Sequence, residues 1–165
     1  MESTRPDLRE PVPRMNKGST FEHALRAFGR ARFEEAIVLF TQAADEDDRA
    51  ADAVSKRGVC RLRLGDRGAA ARDFNAALQI DPRCVAALTN LGNLALEADQ
   101  TDVARARFEA ALRIDETYAP AHHNYAVLLR REGKFAESVR ELRLAAKYEN
   151  RGKLTFLEWL SGKRR

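Results

Sequence analysis

Long apolar runs are absent from this 165-residue sequence, and cysteine, tryptophan and proline are scarce. No stretch approaches the roughly 20 apolar residues that a membrane-spanning helix needs. The N-terminus also lacks the apolar segment of a secretory signal, so the cytoplasm is the expected location. Cys60 and Cys84 show neither a CxxC pair nor metal-ligand spacing. We therefore predict two buried free thiols in a reducing compartment.

Sequence patterns that carry catalysis or metal binding are missing as well. There is no HExxH, no GxSxG and no phosphate-binding glycine loop. His122 and His123 are adjacent, so on a helix they point about 100° apart and cannot hold one ion together. The acidic run 45–48 lacks the glycine and the final glutamate of a calcium loop, which favours a solvated turn. We predict no catalytic residue, no metal ligand and no cofactor.

The charge is basic without being extreme. The formal net charge is +4 and the sequence pI is about 9.3. Arginine supplies most of the positive charge, which favours paired contacts with carboxylates or phosphates. A charge of this size weakly favours acidic partners. No stretch alternates apolar and polar residues with a period of two, so a sheet-rich fold is not expected.

What the sequence does contain is a motif that recurs every 34 residues. The motif is an alanine followed four positions later by a phenylalanine, and the fourth place in the series holds a serine and a leucine. The pairs are Ala36 and Phe40, Ala70 and Phe74, Ala104 and Phe108, then Ser138 and Leu142. A period of this length is typical of stacked helix–turn–helix units.

The period predicts an all-α chain of four helix–turn–helix units between two end segments. Residues 1–17 are expected to be a disordered tail, and 153–165 a capping helix with a basic end. The units are expected at 18–50, 51–84, 85–118 and 119–152. The first helices should lie near 20–30, 52–64, 86–98 and 120–132, and the second helices near 33–45, 67–79, 101–113 and 135–148. Ser19 or Thr20 is expected to cap the first helix.

The unit resembles a tetratricopeptide repeat, whose pattern reads W-x2-L-G-x2-Y, then A-x3-F, then A and P. Unit three gives Leu88-x2-Leu91-Gly92-x2-Ala95, followed by its Ala-x3-Phe pair and a further alanine. The resemblance covers about residues 17–152. It implies a right-handed α–α superhelix that acts as a non-enzymatic adaptor or scaffold. Its partner would be a protein or peptide, held as an extended segment or a helix in a concave groove.

When the four units are aligned on the 34-residue period, an alignment that we call the repeat frame, the resemblance also implies which residues line that groove. In units two and three they are Lys56, Val59, Arg63, Thr89, Asn90, Asn93 and Glu97. In unit four they are His123, Asn124, Val127, Arg130 and Arg131. Asn90 and Asn124 lie one period apart, as asparagines do in family members that hold a peptide backbone, although ordinary surface polarity also explains them. Arg63, Arg130 and Arg131 would favour an acidic or phosphorylated partner.

Two arginines depart from the family pattern in unit two. Arg57 and Arg61 stand where a leucine and a tyrosine are usual. Since burying an unpaired guanidinium is costly, each needs a carboxylate or an outlet to water. In one interpretation they extend their charged ends to water or pair with Glu35, Asp45 or Glu46 of unit one. The other leaves the first two units loosely joined, with a ligand supplying the anion.

Other readings of the same sequence stay open. Phe156 and Trp159 fit either a cap over the last unit or an exposed interaction patch. Self-assembly into a homo-oligomer through an end of the array is a further alternative. Nucleic-acid binding is disfavoured, because charges of both signs are mixed along the helices and no aromatic residues are interleaved in the groove. The carboxylate clamp with which some family members hold chaperone tails is not reproduced in either possible register.

Overall fold

The computed structural model describes residues 17–46 and 49–160, with side chains over 20–46 and 49–150. Within these ranges the chain forms eight α-helices and no strand. They are α1 Lys17–Gly29, α2 Phe33–Glu46, α3 Ala50–Arg63, α4 Arg67–Ile80, α5 Val85–Glu97, α6 Thr101–Ile114, α7 Ala119–Arg131 and α8 Phe135–Leu160. Each helix packs against its neighbours in sequence. The predicted all-α fold of four helix–turn–helix units is confirmed.

The first helix begins earlier than the sequence indicates. It starts at Lys17 rather than near residue 20. Thr20 therefore lies within the first turn, and its buried hydroxyl donates to the Glu46 carboxylate at 3.0 Å. The threonine ties α1 to the end of α2 instead of capping its own helix. The predicted disorder of residues 1–17 falls almost entirely outside the described residues and stays a prediction.

The last helix is longer than expected. Residues 153–160 continue α8 without a break, so they do not form the separate capping helix that we predicted. The only helix-weakening residue at the expected boundary is Gly152, and a single glycine costs about 1 kcal/mol in a helix without removing a hydrogen bond. The side chains of Phe156 and Trp159 lie outside the described residues. Whether they shield the last unit stays a prediction.

The turn inside each unit repeats one backbone conformation. Ala31, Gly65, Asp99 and Gly133 follow one another at the 34-residue period, and all four have positive φ, between 56° and 85°. Glycine adopts this left-handed conformation without the steric penalty that a side chain brings. Units one and three bear that penalty, since an alanine and an aspartate stand there. The turn is therefore set by the fold and not by glycine alone.

The core of the array is built around three equivalent phenylalanines. Phe40, Phe74 and Phe108 are each fully buried, and each belongs to an apolar cluster that includes residues of the next unit. A Cβ added to Gly58 would lie 2.7 Å from the Phe74 ring, and one added to Gly92 would lie 2.5 Å from the Phe108 ring. In units two and three the ring thus occupies space that the glycine leaves free, whereas unit one buries Phe40 with Ala24 at the same position.

Both cysteines are buried and unpaired, as predicted. Cys60 lies in the cluster that joins units one and two, and Cys84 at the junction of units two and three. Burial raises the pKa of the Cys60 thiol to about 11, because the charged thiolate loses hydration in the core. The two thiols act as small apolar side chains.

Candidate functional site

A cleft of about 300 Å³ lies between α5 and α7, at the junction of units three and four. Its lining residues are Asn93, Leu96, Glu97, Asn124, Val127 and Arg131. All of them except Leu96 belong to the groove implied by the sequence. We call this region the α5–α7 cleft.

Three asparagine amides near this cleft have no partner in the described part of the chain. Asn90, Asn93 and Asn124 are partly exposed, and their side chains form no hydrogen bond there. Each amide can donate two hydrogen bonds and accept two. Since a peptide backbone offers one donor and one acceptor per residue, the amides can pair with any sequence.

The two charged residues of the cleft are already engaged. The Glu97 carboxylate accepts a hydrogen bond from Arg67 at 2.9 Å, which links units two and three. The Arg131 guanidinium donates to the Leu96 carbonyl at 2.9 Å and lies 3.6 Å from the Asp99 carboxylate. Both side chains remain about half exposed. They fix the walls of the cleft and keep part of their hydrogen-bonding capacity for a ligand.

The structure does not place every implied groove residue on an open surface. Thr89 is 2% exposed, and its hydroxyl donates to the Val85 carbonyl at 2.9 Å. It cannot contact a peptide, so its place in the predicted groove is wrong. The reason is that a threonine hydroxyl can satisfy itself on its own helix, one turn back.

The other implied residues are accessible. Lys56, Arg63, His123 and Arg130 are exposed, and Val59 and Val127 are partly buried. The Lys56 ammonium lies 6.0 Å from the centre of the Phe28 ring, at the limit of a cation–π contact. Apart from Thr89, the implied set therefore stays a prediction of a binding surface.

Sequence reasoning missed one of the two apolar residues of the cleft. Leu96 occupies the repeat position that holds Phe28 in unit one, Leu62 in unit two and Arg130 in unit four. The 34-residue frame was the signal that could have found it. The change from apolar residues in units one to three to an arginine in unit four means that the two ends of the surface differ in chemistry.

Arg57 and Arg61 do not pair with unit one as predicted. Both guanidinium groups bind Asp73 of their own unit, Arg57 at 2.7 and 3.1 Å and Arg61 at 2.8 Å. Asp73 is 3% exposed. Arg57 also donates to the Thr41 hydroxyl at 3.0 Å, which does join it to unit one. The suggestion that a ligand supplies the anion is unnecessary, because α4 supplies it.

His122 and His123 point in different directions, as the sequence indicated. His123 is exposed, whereas His122 is buried and stacked on the Tyr148 ring with 5.5 Å between centres. The His122 Nδ1 atom lies 2.6 Å from the Glu141 carboxylate, and Nε2 lies 2.8 Å from the Glu116 carbonyl. A carbonyl only accepts, so Nε2 carries a proton. No group of three or more potential metal ligands occurs among the described residues.

A comparison with known families identifies the repeat. The profile described as "Tetratricopeptide repeat" matches residues 21–84 and again 89–152, each match spanning two helix pairs. The chain belongs to the tetratricopeptide repeat family. The resemblance read from the sequence is therefore confirmed.

Related proteins agree with this assignment. The chain is 30% identical over 119 residues to the probable UDP-N-acetylglucosamine–peptide N-acetylglucosaminyltransferase SPINDLY of Arabidopsis thaliana, covering 72% of this chain. It spans only 13% of that relative's length. A thermophilic tetratricopeptide repeat protein of Thermus thermophilus has a similar structure, with a TM-score of 0.70, 18% identity, and 82% of this chain and 75% of that chain covered.

One similar structure contains a bound peptide. The first tetratricopeptide repeat domain of Spaghetti (RPAP3), bound to an HSP90 peptide, gives a TM-score of 0.56 at 18% identity and covers 79% of this chain and 90% of that one. At this identity the likeness concerns the fold alone. The tetratricopeptide fold supports a role as a protein-interaction scaffold, and proteins of this kind are generally not enzymes. In the described part of the chain, no helix is both long and apolar enough to cross a membrane.

Proposed function

We propose that this tetratricopeptide array is a non-enzymatic scaffold that holds an extended segment or a helix of a partner protein. The segment would lie along the first helices of units two to four. The observation that carries the proposal is the set of three asparagine amides without described partners, Asn90, Asn93 and Asn124, beside the α5–α7 cleft. The bound peptide complex of a structural neighbour is a precedent for the fold.

Each part of the surface would have its own task. The amides of Asn90 and Asn124, one period apart, would pair with backbone groups of the partner and fix its register. Val127 would contact an apolar side chain of the partner in the cleft, whose floor is formed by the mostly buried Leu96. Arg63 and Arg130, both exposed, would attract acidic residues on either side of that point.

Removing the two amides tests the proposal directly. We expect the double variant Asn90→Ala/Asn124→Ala to retain at least tenfold less partner protein in quantitative pull-downs, because each removed pair of hydrogen bonds is worth about 1 kcal/mol or more. The affinity of each partner that the wild type retains would then be measured with purified wild type and purified variant, to confirm the difference.

A matched variant controls for the loss of surface amides. Asn75→Ala/Gln79→Ala removes two exposed amides from α4, outside the proposed surface, and should retain every partner. If the two double variants and the wild type bind the same proteins equally well, the asparagines do not form the binding surface.

Self-assembly is the second candidate function. Phe135, Val139 and Leu142 form an exposed apolar stripe on α8, with 66%, 46% and 42% exposure. At the same repeat positions in unit three, Phe108 is fully buried and Arg105 donates to the Tyr125 hydroxyl of unit four. Light scattering across a concentration series distinguishes this function, since a scaffold for other proteins remains monomeric alone.

A further inference from the structure

A second cleft, of about 370 Å³, lies in unit one between α1 and α2. It is lined chiefly by His23, Arg26, Arg30, Arg32, Glu35 and Leu39. None of these residues belongs to the surface proposed above. We call this region the unit-one cleft.

The unit-one cleft carries excess positive charge. Arg26 lies in the last turn of α1 and Arg30 in the turn that follows this helix; both side chains are exposed, and neither guanidinium pairs with a described residue. Arg32 forms an exposed ion pair with Glu35 at 3.3 Å. Three arginines against one glutamate leave two positive charges, before any charge on His23. Clustered positive charge on the walls of a cleft attracts an anionic group more strongly than the same charges spread over a surface.

The repeat frame shows what unit one lacks. Leu39 occupies the position that Asp73 occupies in unit two. In unit two the buried Asp73 carboxylate neutralises Arg57 and Arg61. In unit one the equivalent side chain is apolar, so the cleft receives no carboxylate from this position.

The cleft faces away from the rest of the array. Cys60, the counterpart of Arg26 one period later, is fully buried in the cluster that joins α3 to unit one. By the same geometry Arg26 lies on the side of α1 opposite to unit two. A ligand there would not compete with one at the α5–α7 cleft.

We propose that the unit-one cleft binds a phosphorylated segment of a partner protein. A phosphorylated side chain carries a charge of about −1.5 to −2 and three strong acceptor oxygens, which matches two uncompensated guanidinium groups better than a single carboxylate does. Arginine meets such oxygens with two parallel hydrogen bonds. Among the described residues no phenylalanine, tyrosine or tryptophan ring lines the cleft, so it lacks the large aromatic platforms on which nucleic-acid bases stack.

The test uses the full chain and a defined probe. The probe is a fluorescent peptide of glycine and alanine with one central phosphoserine, titrated at about 0.15 M salt and followed by fluorescence anisotropy. We expect saturable binding that weakens at least tenfold in Arg26→Gln/Arg30→Gln and is absent with the unphosphorylated peptide. A peptide with glutamate in place of phosphoserine should bind at least fivefold more weakly.

A matched variant separates the site from net charge. Arg72→Gln/Arg113→Gln removes two exposed arginines elsewhere and lowers the net charge equally, and it should bind like the wild type. Equal weakening in both variants, no binding by the wild type, or tighter binding of a single-stranded RNA that is lost in Arg26→Gln/Arg30→Gln would each overturn the proposal. Asn90→Ala/Asn124→Ala should leave phosphopeptide binding unchanged, so the two proposals fail independently.

Discussion

The two helices of a unit meet differently in units two and three than in unit four. In units two and three a buried phenylalanine ring fills the space beside Gly58 or Gly92. In unit four Ala126 stands in the place of that glycine, and the Ser138 hydroxyl donates to its carbonyl at 2.8 Å. The stability of a close-packed contact depends on the volume of its side chains, whereas that of a buried hydrogen bond depends on keeping both the donor and the acceptor.

Units two and four also differ in the partners and the exposure of one acidic side chain. Asp73 and Glu141 occupy the same repeat position, two periods apart. Asp73 is held by two arginines, and Glu141 by a single histidine. The Asp73 side chain is 4% exposed and the Glu141 side chain 21%. Unit two thus depends on its ion pairs more than unit four does.

The largest expected effect comes from removing the acid of unit two. Asp73→Ala should lower the free energy of unfolding by about 3 kcal/mol, because it leaves two partly buried guanidinium groups without a carboxylate. Chemical denaturation of the purified protein measures this value.

The matched change in unit four is Glu141→Ala. It should cost about 1 kcal/mol, since the Glu141 carboxylate is better solvated and the His122 Nε2 atom keeps its hydrogen bond to the Glu116 carbonyl. Equal losses of unfolding free energy in Asp73→Ala and Glu141→Ala would show that the difference in exposure does not determine how much each acid stabilises the protein.

The next largest effect is expected from a substitution at the close-packed contact between Gly92 and Phe108. Gly92→Ala should destabilise the protein by roughly 1–3 kcal/mol, since the added methyl group overlaps the buried Phe108 ring. This opposes the gain of about 1 kcal/mol that alanine normally brings to a helix. Denaturation again provides the measurement.

Gly68 provides the control for this substitution. A Cβ at Gly68 would meet no atom closer than 3.7 Å, so Gly68→Ala should stabilise the chain by up to about 1 kcal/mol. Opposite signs for the two substitutions are expected. A stabilising Gly92→Ala would mean that the ring does not require the glycine.

The smallest effect concerns acid sensitivity at the junction of units three and four. The Glu132 carboxylate accepts hydrogen bonds from Arg105 and Lys134, and mainly the bond from Arg105 lowers the pKa of Glu132. Because the folded pKa lies below the unfolded one, this contribution is present above the ordinary carboxyl pKa. It is lost as pH falls through the folded value.

Glu132→Gln should therefore flatten the acid limb of stability below about pH 4.5, with a loss of less than about 1 kcal/mol at neutral pH. Thermal unfolding between about pH 7 and pH 3 measures this. Wild type and variant curves that run parallel throughout would exclude a role for the pair in acid sensitivity.

The sequence predicted the repeat well because its signals are local. The 34-residue spacing of Phe40, Phe74 and Phe108 placed the helix pairs within a few residues, and the buried phenylalanines confirm the frame. Helix ends were less predictable. Threonine is a common N-cap residue, but the Thr20 hydroxyl donates to Glu46, 26 residues away.

The candidate site was only partly predictable. Five of the six residues that line the α5–α7 cleft belong to the groove implied by the repeat, which also included the buried Thr89 and omitted Leu96. A frame gives the direction of a side chain from its helix. It does not show whether a neighbouring turn covers that side chain.

By itself, the sequence determined the number of units, their register and the absence of known catalytic motifs, because these depend on spacing along the chain. Only the tertiary structure decided which carboxylate neutralises Arg57 and Arg61, and where clefts open between helices. Those outcomes depend on distances between side chains far apart in sequence. In this protein Asp73 on α4, rather than any acid of unit one, lies within 3.1 Å of both arginines.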